Sequence, residues 1–292
     1  MSRVGIGAVV FLVSLTAGAG HASAGTQGPT KSLGKAKGLE YRTAKFPDVA
    51  SLAGATVACK SDTFAWGGGG LIDGGDGLSN LYTTAPPSID LDGSADAWQA
   101  LAESSGSRDE RTYAICGKNP LSFIGGPTSF PSTPGVQTAS AGCTPPDHVV
   151  SGGILNDSNP VRLLESIPID TGTDVDSTPD DGWQITAENT SGSASNPIIV
   201  IGCSPTAKVS YVEKTANVAQ DSVGKAAAKC PRRTVATGGG FDALSGGNPS
   251  GLVPWDSKDK EKVPEDGWQA HVYNATLDTL QVTSHAICLR SA

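Results

Sequence analysis

An all-β fold made of three internal antiparallel β repeats is what this sequence predicts, and three observations carry the prediction. Across 292 residues there are 37 glycines and 19 prolines, a composition that favours turns and short strands over long helices. The same block of residues occurs three times, beginning at Cys59, Cys143 and Cys230. Where strands are expected the apolar residues alternate: Trp268, Ala270 and Val272 interleave with Gln269, His271 and Tyr273, the period of a half-buried strand.

Residues 1–24 read as a secretory signal peptide: one cation (Arg3), an apolar core from Val4 to Leu15, and the small-residue end Ala22-Ser23-Ala24. That apolar run is too short to span a bilayer comfortably, and no later stretch is longer, so a secreted protein with no membrane span is expected. Residues 25–44 read as an N-terminal linker. With 21 basic and 29 acidic residues the chain has a formal charge of −8, and no basic stripe with interleaved aromatics interrupts it. Such a chain repels phosphate backbones, which argues against nucleic acid as a partner.

The repeats follow as 45–120, 121–207 and 208–292. In the first, Cys59 leads to Gly67–Gly70, then Trp98, then Cys116. In the second, Cys143 leads to Gly152-Gly153, Trp183 and Cys203. In the third, Cys230 leads to Gly238-Gly239-Gly240, Trp268 and Cys288. The two cysteines of a unit are 57, 60 and 58 residues apart. An aspartate stands two residues before each tryptophan (Asp96, Asp181, Asp266), and Pro86, Pro168 and Pro254 fall midway along the units.

All six cysteines belong to the exported part, where an oxidising compartment lets pairs persist. Pairing within units is the favoured reading, because both cysteines of a unit end apolar strand patterns. A cyclic scheme (Cys116–Cys143, Cys203–Cys230, Cys59–Cys288) is the alternative. No CxxC pair occurs, so neither a zinc site nor another metal or cofactor is expected. The stretch CPRRTVATGGGF lacks the lysine and hydroxyl that a phosphate loop needs after its glycines. Glycines ending a strand instead permit a bulge or the close approach of a neighbouring backbone.

The order Cys-x7-Gly-Gly-Gly … Asp-Gly-Trp … Ala-Ile-Cys, read in full in the third unit, resembles repeats of uncharacterised exported bacterial proteins. Three such units are also similar to the vitelline membrane outer layer protein I family. That resemblance implies a β-prism, with three antiparallel sheets around a pseudo-threefold axis. Tandem immunoglobulin-like β-sandwich modules are the alternative, since a cysteine spacing of 58 suits a bridge between two sheets, although the tryptophan of such modules lies earlier.

Candidate chemistry is sparse. Trp98, Trp183 and Trp268 recur at fixed distances from both cysteines and read as structural core. Trp66 and Trp255 fall outside the repeated position and are the candidate ligand-binding residues, since an indole on a rim can stack on a sugar face. The acidic runs around Asp90, Asp92, Asp96 and Asp174, Asp176, Asp180, Asp181 offer oxygens to a hard cation but complete no twelve-residue calcium loop. The competing reading makes Asp96, Asp181 and Asp266 caps on the turn into the tryptophan strand. His271 and His285 would face each other across a hairpin centred near Asp278. Asn156, Asn189 and Asn274 each begin an Asn-x-Ser/Thr triplet. No catalytic residue is assigned. The expected function is therefore a non-enzymatic exported protein binding carbohydrate or a cell-surface component. The alternatives are a polysaccharide hydrolase using loop carboxylates and a purely structural envelope protein.

Overall fold

A computed structural model describes residues 28–49, 53–73, 79–90, 93–104, 106, 108–132, 134–156, 161–172, 178–189, 192–244, 246–257 and 262–290. The signal peptide, together with Asp92, Asp174 and Asp176, lies outside these residues. Among the described residues every regular element is a strand.

A short β1 (Lys31–Ala36) precedes the first unit, which comprises β2 (Leu39–Val49), β3 (Ala53–Ala58), β4 (Phe64–Ile72), β5 (Asn80–Ala85), β6 (Ala97–Glu103) and β7 (Arg108–Gly117). The second has β8 (Ser122–Pro127), β9 (Gly135–Gly142), β10 (His148–Leu155), β11 (Arg162–Ile169), β12 (Gly182–Asn189) and β13 (Ile198–Ser204). The third has β14 (Val209–Val218), β15 (Val223–Lys229), β16 (Thr234–Asp242), β17 (Gly247–Trp255), β18 (Gly267–Asn274) and β19 (Leu280–Arg290). β1 and the start of β2 occupy the segment expected as a linker. There Leu39 and Tyr41 are buried, and β1 extends a sheet by pairing with β2.

No unit keeps its strands to itself. The first, third and sixth strands of a unit form one half-sheet, and the second, fourth and fifth form another. Half-sheets of different units then join through β4–β17, β10–β5 and β16–β11. The three resulting sheets run β1-β2-β7-β4-β17-β18-β15, β3-β6-β5-β10-β13-β8 and β14-β19-β16-β11-β12-β9. This is a prism-like arrangement with pseudo-threefold symmetry. Tandem sandwiches would leave each unit with its own complete sheets.

The glycine runs make the joints possible, and they lie inside β4, β10 and β16 rather than at strand ends. A Cβ on Gly69, Gly153 or Gly240 would sit 1.8, 1.7 or 1.8 Å from the carbonyl oxygen of Leu252, Thr84 or Ser166, each on the strand supplied by another unit. A Cβ one residue earlier, on Gly68, Gly152 or Gly239, would come within 2.5, 2.2 or 2.4 Å of the ring of Trp98, Trp183 or Trp268. Alternation thus gives successive glycines two duties, one for the joint and one for the core. Just ahead of them the register shifts by one residue in all three units, at Trp66, Val150 and Thr237.

The three repeated tryptophans are 0–1% exposed and form the centre of one continuous core. The disulfides are Cys59–Cys116, Cys143–Cys203 and Cys230–Cys288, each within a unit. Closing loops of this length stabilises each unit by about 4 kcal/mol on chain-entropy grounds. A tyrosine hydroxyl reinforces two of the three inter-unit joints: Tyr41 donates to the Ala236 carbonyl and Tyr211 to the Val149 carbonyl, both at 2.6 Å. The equivalent residue at the third joint is Phe123, whose ring lies 6.4 Å from that of Trp98.

Candidate functional site

The acidic turns have a structural use. The Asp181 carboxylate accepts from the Thr171 backbone N–H (3.3 Å) and hydroxyl (3.2 Å), and the Asp266 carboxylate accepts from the Ser257 backbone N–H at 2.9 Å and from its hydroxyl. The backbone carbonyls of Asp96, Asp181 and Asp266 accept from the N–H groups of Cys59, Cys143 and Cys230, which fixes each turn against its disulfide. The side chain of Asp96 is exposed. Among the described residues no three His, Cys, Asp or Glu side chains converge as a metal-binding group.

Asn189 and Asn274 are buried, and their amides reach carbonyls four residues on, Ser193 and Asp278, at 2.7 Å in both units. These triplets are corner devices, since a buried, bonded amide is not presented for glycosylation. Trp66, expected on a rim, is 9% exposed; its Nε1 donates to the Asn119 carbonyl at 2.6 Å and its ring lies against Gly117. It follows from the register shift, which turns this residue out of the alternation. Trp255 ends β17 half-buried, opposite Gly267.

His271 and His285 do not face each other. β18 belongs to the first sheet and β19 to the third, so the connection between them crosses from sheet to sheet instead of closing a hairpin. His271 pairs with Lys225 on β15, bonds Gln269 at 2.7 Å, and is pushed down to about 4 by burial with Lys225 adding to the shift. His285 stands on β19 directly opposite Glu213 on β14. Burial holds its imidazole below the usual histidine range, against the opposing pull of the Glu213, Asp242 and Glu165 carboxylates.

His285 and Glu213 line a cleft of about 210 Å³ on the third sheet, walled by Pro168, Pro179 and Tyr211. Strand pairing puts the two side chains on one face, because residues directly opposite in an antiparallel ladder point the same way. The Tyr211 hydroxyl is fixed by its bond to Val149, and Pro168 is held by its pairing with Trp183. No described residue hydrogen-bonds to the His285 ring. Behind it, Glu165 is buried and accepts from Gln184 (2.9 Å) and Thr186 (2.6 Å), which keeps its carboxylate as an acceptor. The corresponding pairs on the other sheets are Thr43 with Tyr113 and Gly125 with Val200. Only the third sheet places an acid and an imidazole there.

Sequence reasoning reached His285 but missed Glu213 and Tyr211. The available signal was the count back from each second cysteine, and it identifies the partner only once the pairing of β14 with β19 is known. No family model matches the chain, and no curated protein matches it in sequence.

Proposed function

We propose that the protein is an exported, non-enzymatic scaffold that binds an extracellular glycan or cell-surface component in the cleft between Glu213 and His285. The cleft carries the reading: apolar proline and tyrosine surfaces flank one carboxylate and one unpartnered imidazole, a combination suited to a sugar with its apolar face on the walls and its hydroxyls on the polar pair. Three intramolecular disulfides accord with an oxidising, extracellular setting. A hydrolase would need two carboxylates whose pKa values are pushed apart. Of the other carboxylates that act on His285, Asp242 accepts from the Leu244 backbone N–H at 3.0 Å and Glu165 is committed to Gln184 and Thr186.

The test is a glycan array followed by titration of the strongest hit against the parent, Glu213→Gln and His285→Ala proteins, with products of the same incubations assayed for cleavage. Binding weakened about tenfold or more by either change, without turnover, supports the proposal. Binding indifferent to both changes, or turnover lost on replacing an acidic residue, overturns it.

A further inference from the structure

Glu110 is a carboxyl with no place in the repeat. It lies on β7 where the other units have Pro197 and Val282, and its side chain is 0% exposed. Its neighbour on the same face, Thr112, is also 0% exposed. Together they meet β3, one of the two edge strands of the second sheet. The Thr112 hydroxyl reaches the Ala55 carbonyl at 3.1 Å, and the Ala55 backbone N–H bonds to the Glu110 carboxyl. Two side chains of the first sheet thus satisfy both backbone polar groups of one edge residue, as a further strand would.

The hydroxyl of Thr112 has one proton and two acceptors in range, Ala55 O at 3.1 Å and Glu110 Oε1 at 3.2 Å. Both contacts are satisfied together when Glu110 carries a proton and donates it to the threonine oxygen. Glu110 Oε2 has no partner among the described residues, which suits a neutral acid far better than a buried charge. Burial accordingly pushes the Glu110 carboxyl up to about 8, against the opposing effects of Thr112 and Ala55. Few charges are near enough to reverse this. β3 and β4 carry no ionisable side chain. β2 places Phe46 opposite Glu110, while Lys45 is engaged by Asp109. Arg108 and Asp48 stand toward the ends of β7 and β2.

We propose that protonated Glu110 is a latch between the first two sheets, and that losing its proton frees the β3 edge while the corresponding edges β9 and β15 stay closed. The pseudo-symmetry supplies the control. Ala139 on β9 and Ala226 on β15 occupy the position of Ala55 in their pairing with β12 and β18, and in those units the position of Glu110 is held by Pro197 and Val282 instead of an acid.

Amide hydrogen exchange of the full exported chain, followed from pH 6 to 10, tests this without any variant: exchange in β3 is divided by that in β9 and β15, which removes the common effect of base. From pH 6 to about 8 the ratio is expected to rise by about tenfold per pH unit, one proton being lost for each opening, and to level off above that, where the closed state has itself lost the proton. In Glu110→Gln, and in Glu110→Val, which copies the third unit, the ratio should stay flat. A parent ratio that remains constant to pH 10, or an equal rise in a folded variant, overturns the proposal.

Discussion

Two joints of the prism are closed by a tyrosine and the third by a phenylalanine. At the joint of the first and third units Tyr41 reaches the Ala236 carbonyl, and at that of the second and third Tyr211 reaches the Val149 carbonyl. Where the first and second meet, Phe123 lies against Trp98 and makes no such bond. The difference separates what the architecture requires from what it merely accommodates. The glycines facing Leu252, Thr84 and Ser166 are present at every joint, because a methyl group there would overlap a carbonyl oxygen. The hydroxyl is dispensable, because an aromatic ring alone fills the same space.

The largest expected effect follows from the invariant part. Alanine at Gly69, Gly153 or Gly240 should each cost about 3 kcal/mol or more, since backbone at both sides of the contact cannot rotate away. Chemical denaturation of the three variants measures this. A variant that loses no more than about 0.5 kcal/mol, the ordinary scale of a surface change, would show that its joint is built differently.

Next come the tryptophans, equivalent in position but unequal in bonding. Trp183 Nε1 donates to Ser166 at 3.0 Å, whereas the indole nitrogens of Trp98 and Trp268 have no partner among the described residues. Replacement by phenylalanine should therefore cost more at Trp183 than at Trp98, by about 1 kcal/mol for the stranded serine hydroxyl. Equal losses would remove this distinction between the units.

The sheet faces differ as well: Leu101, Thr186 and His271 occupy one equivalent position. His271 titrates near 6.5 when unfolded and at about 4 when folded, so between these values the unfolded chain binds the extra proton. Stability present above pH 6.5 should thus fall as the pH drops toward 4. His271→Leu should flatten this acid limb by about 1–2 kcal/mol relative to the parent, a partial share of the full linkage. Thermal melts between pH 4 and 7 would reveal an unchanged limb if the imidazole were charged in the fold.

The smallest effects belong to the joints' optional hydroxyls. Tyr41→Phe and Tyr211→Phe should each cost about 1 kcal/mol, while Phe123→Tyr should gain up to about that amount by reaching the Ala65 carbonyl. A loss in Phe123→Tyr would mean that the first joint had repacked around the bare ring.

Much of this comparison was readable in the sequence. Cysteine spacing, glycine runs and the late tryptophans define three equivalent units, and Leu39 and Tyr41 already alternate with Glu40 and Arg42 where β2 begins. What could not be read was which strands pair. A period of two marks a strand but not its neighbour, so the hairpin expected around Asp278 does not form, and Leu280–Cys288 pairs with β14 and β16. The same blindness misplaced His271 against His285 and concealed Glu213. Trp66 lies buried where a rim was expected for a related reason, since a one-residue register shift leaves no mark in composition. Glu110 stands in plain view in the sequence, but only the packing of β7 against β3 buries its carboxyl.

Because every sheet is shared between two units, no unit is a self-sufficient object. Cut from its neighbours, one would expose two unpaired sheet edges, at the strands corresponding to β4 and β5, that are complementary to each other but face different directions. Such an edge cannot be satisfied within the same copy, yet three copies arranged head to tail would close the ring. The covalent chain is thus equivalent to a cyclic trimer whose subunits have been joined end to end. Because its three positions are covalently distinct, they need not carry the same residues, and one face has Glu213 and His285 where another has Gly125 and Val200.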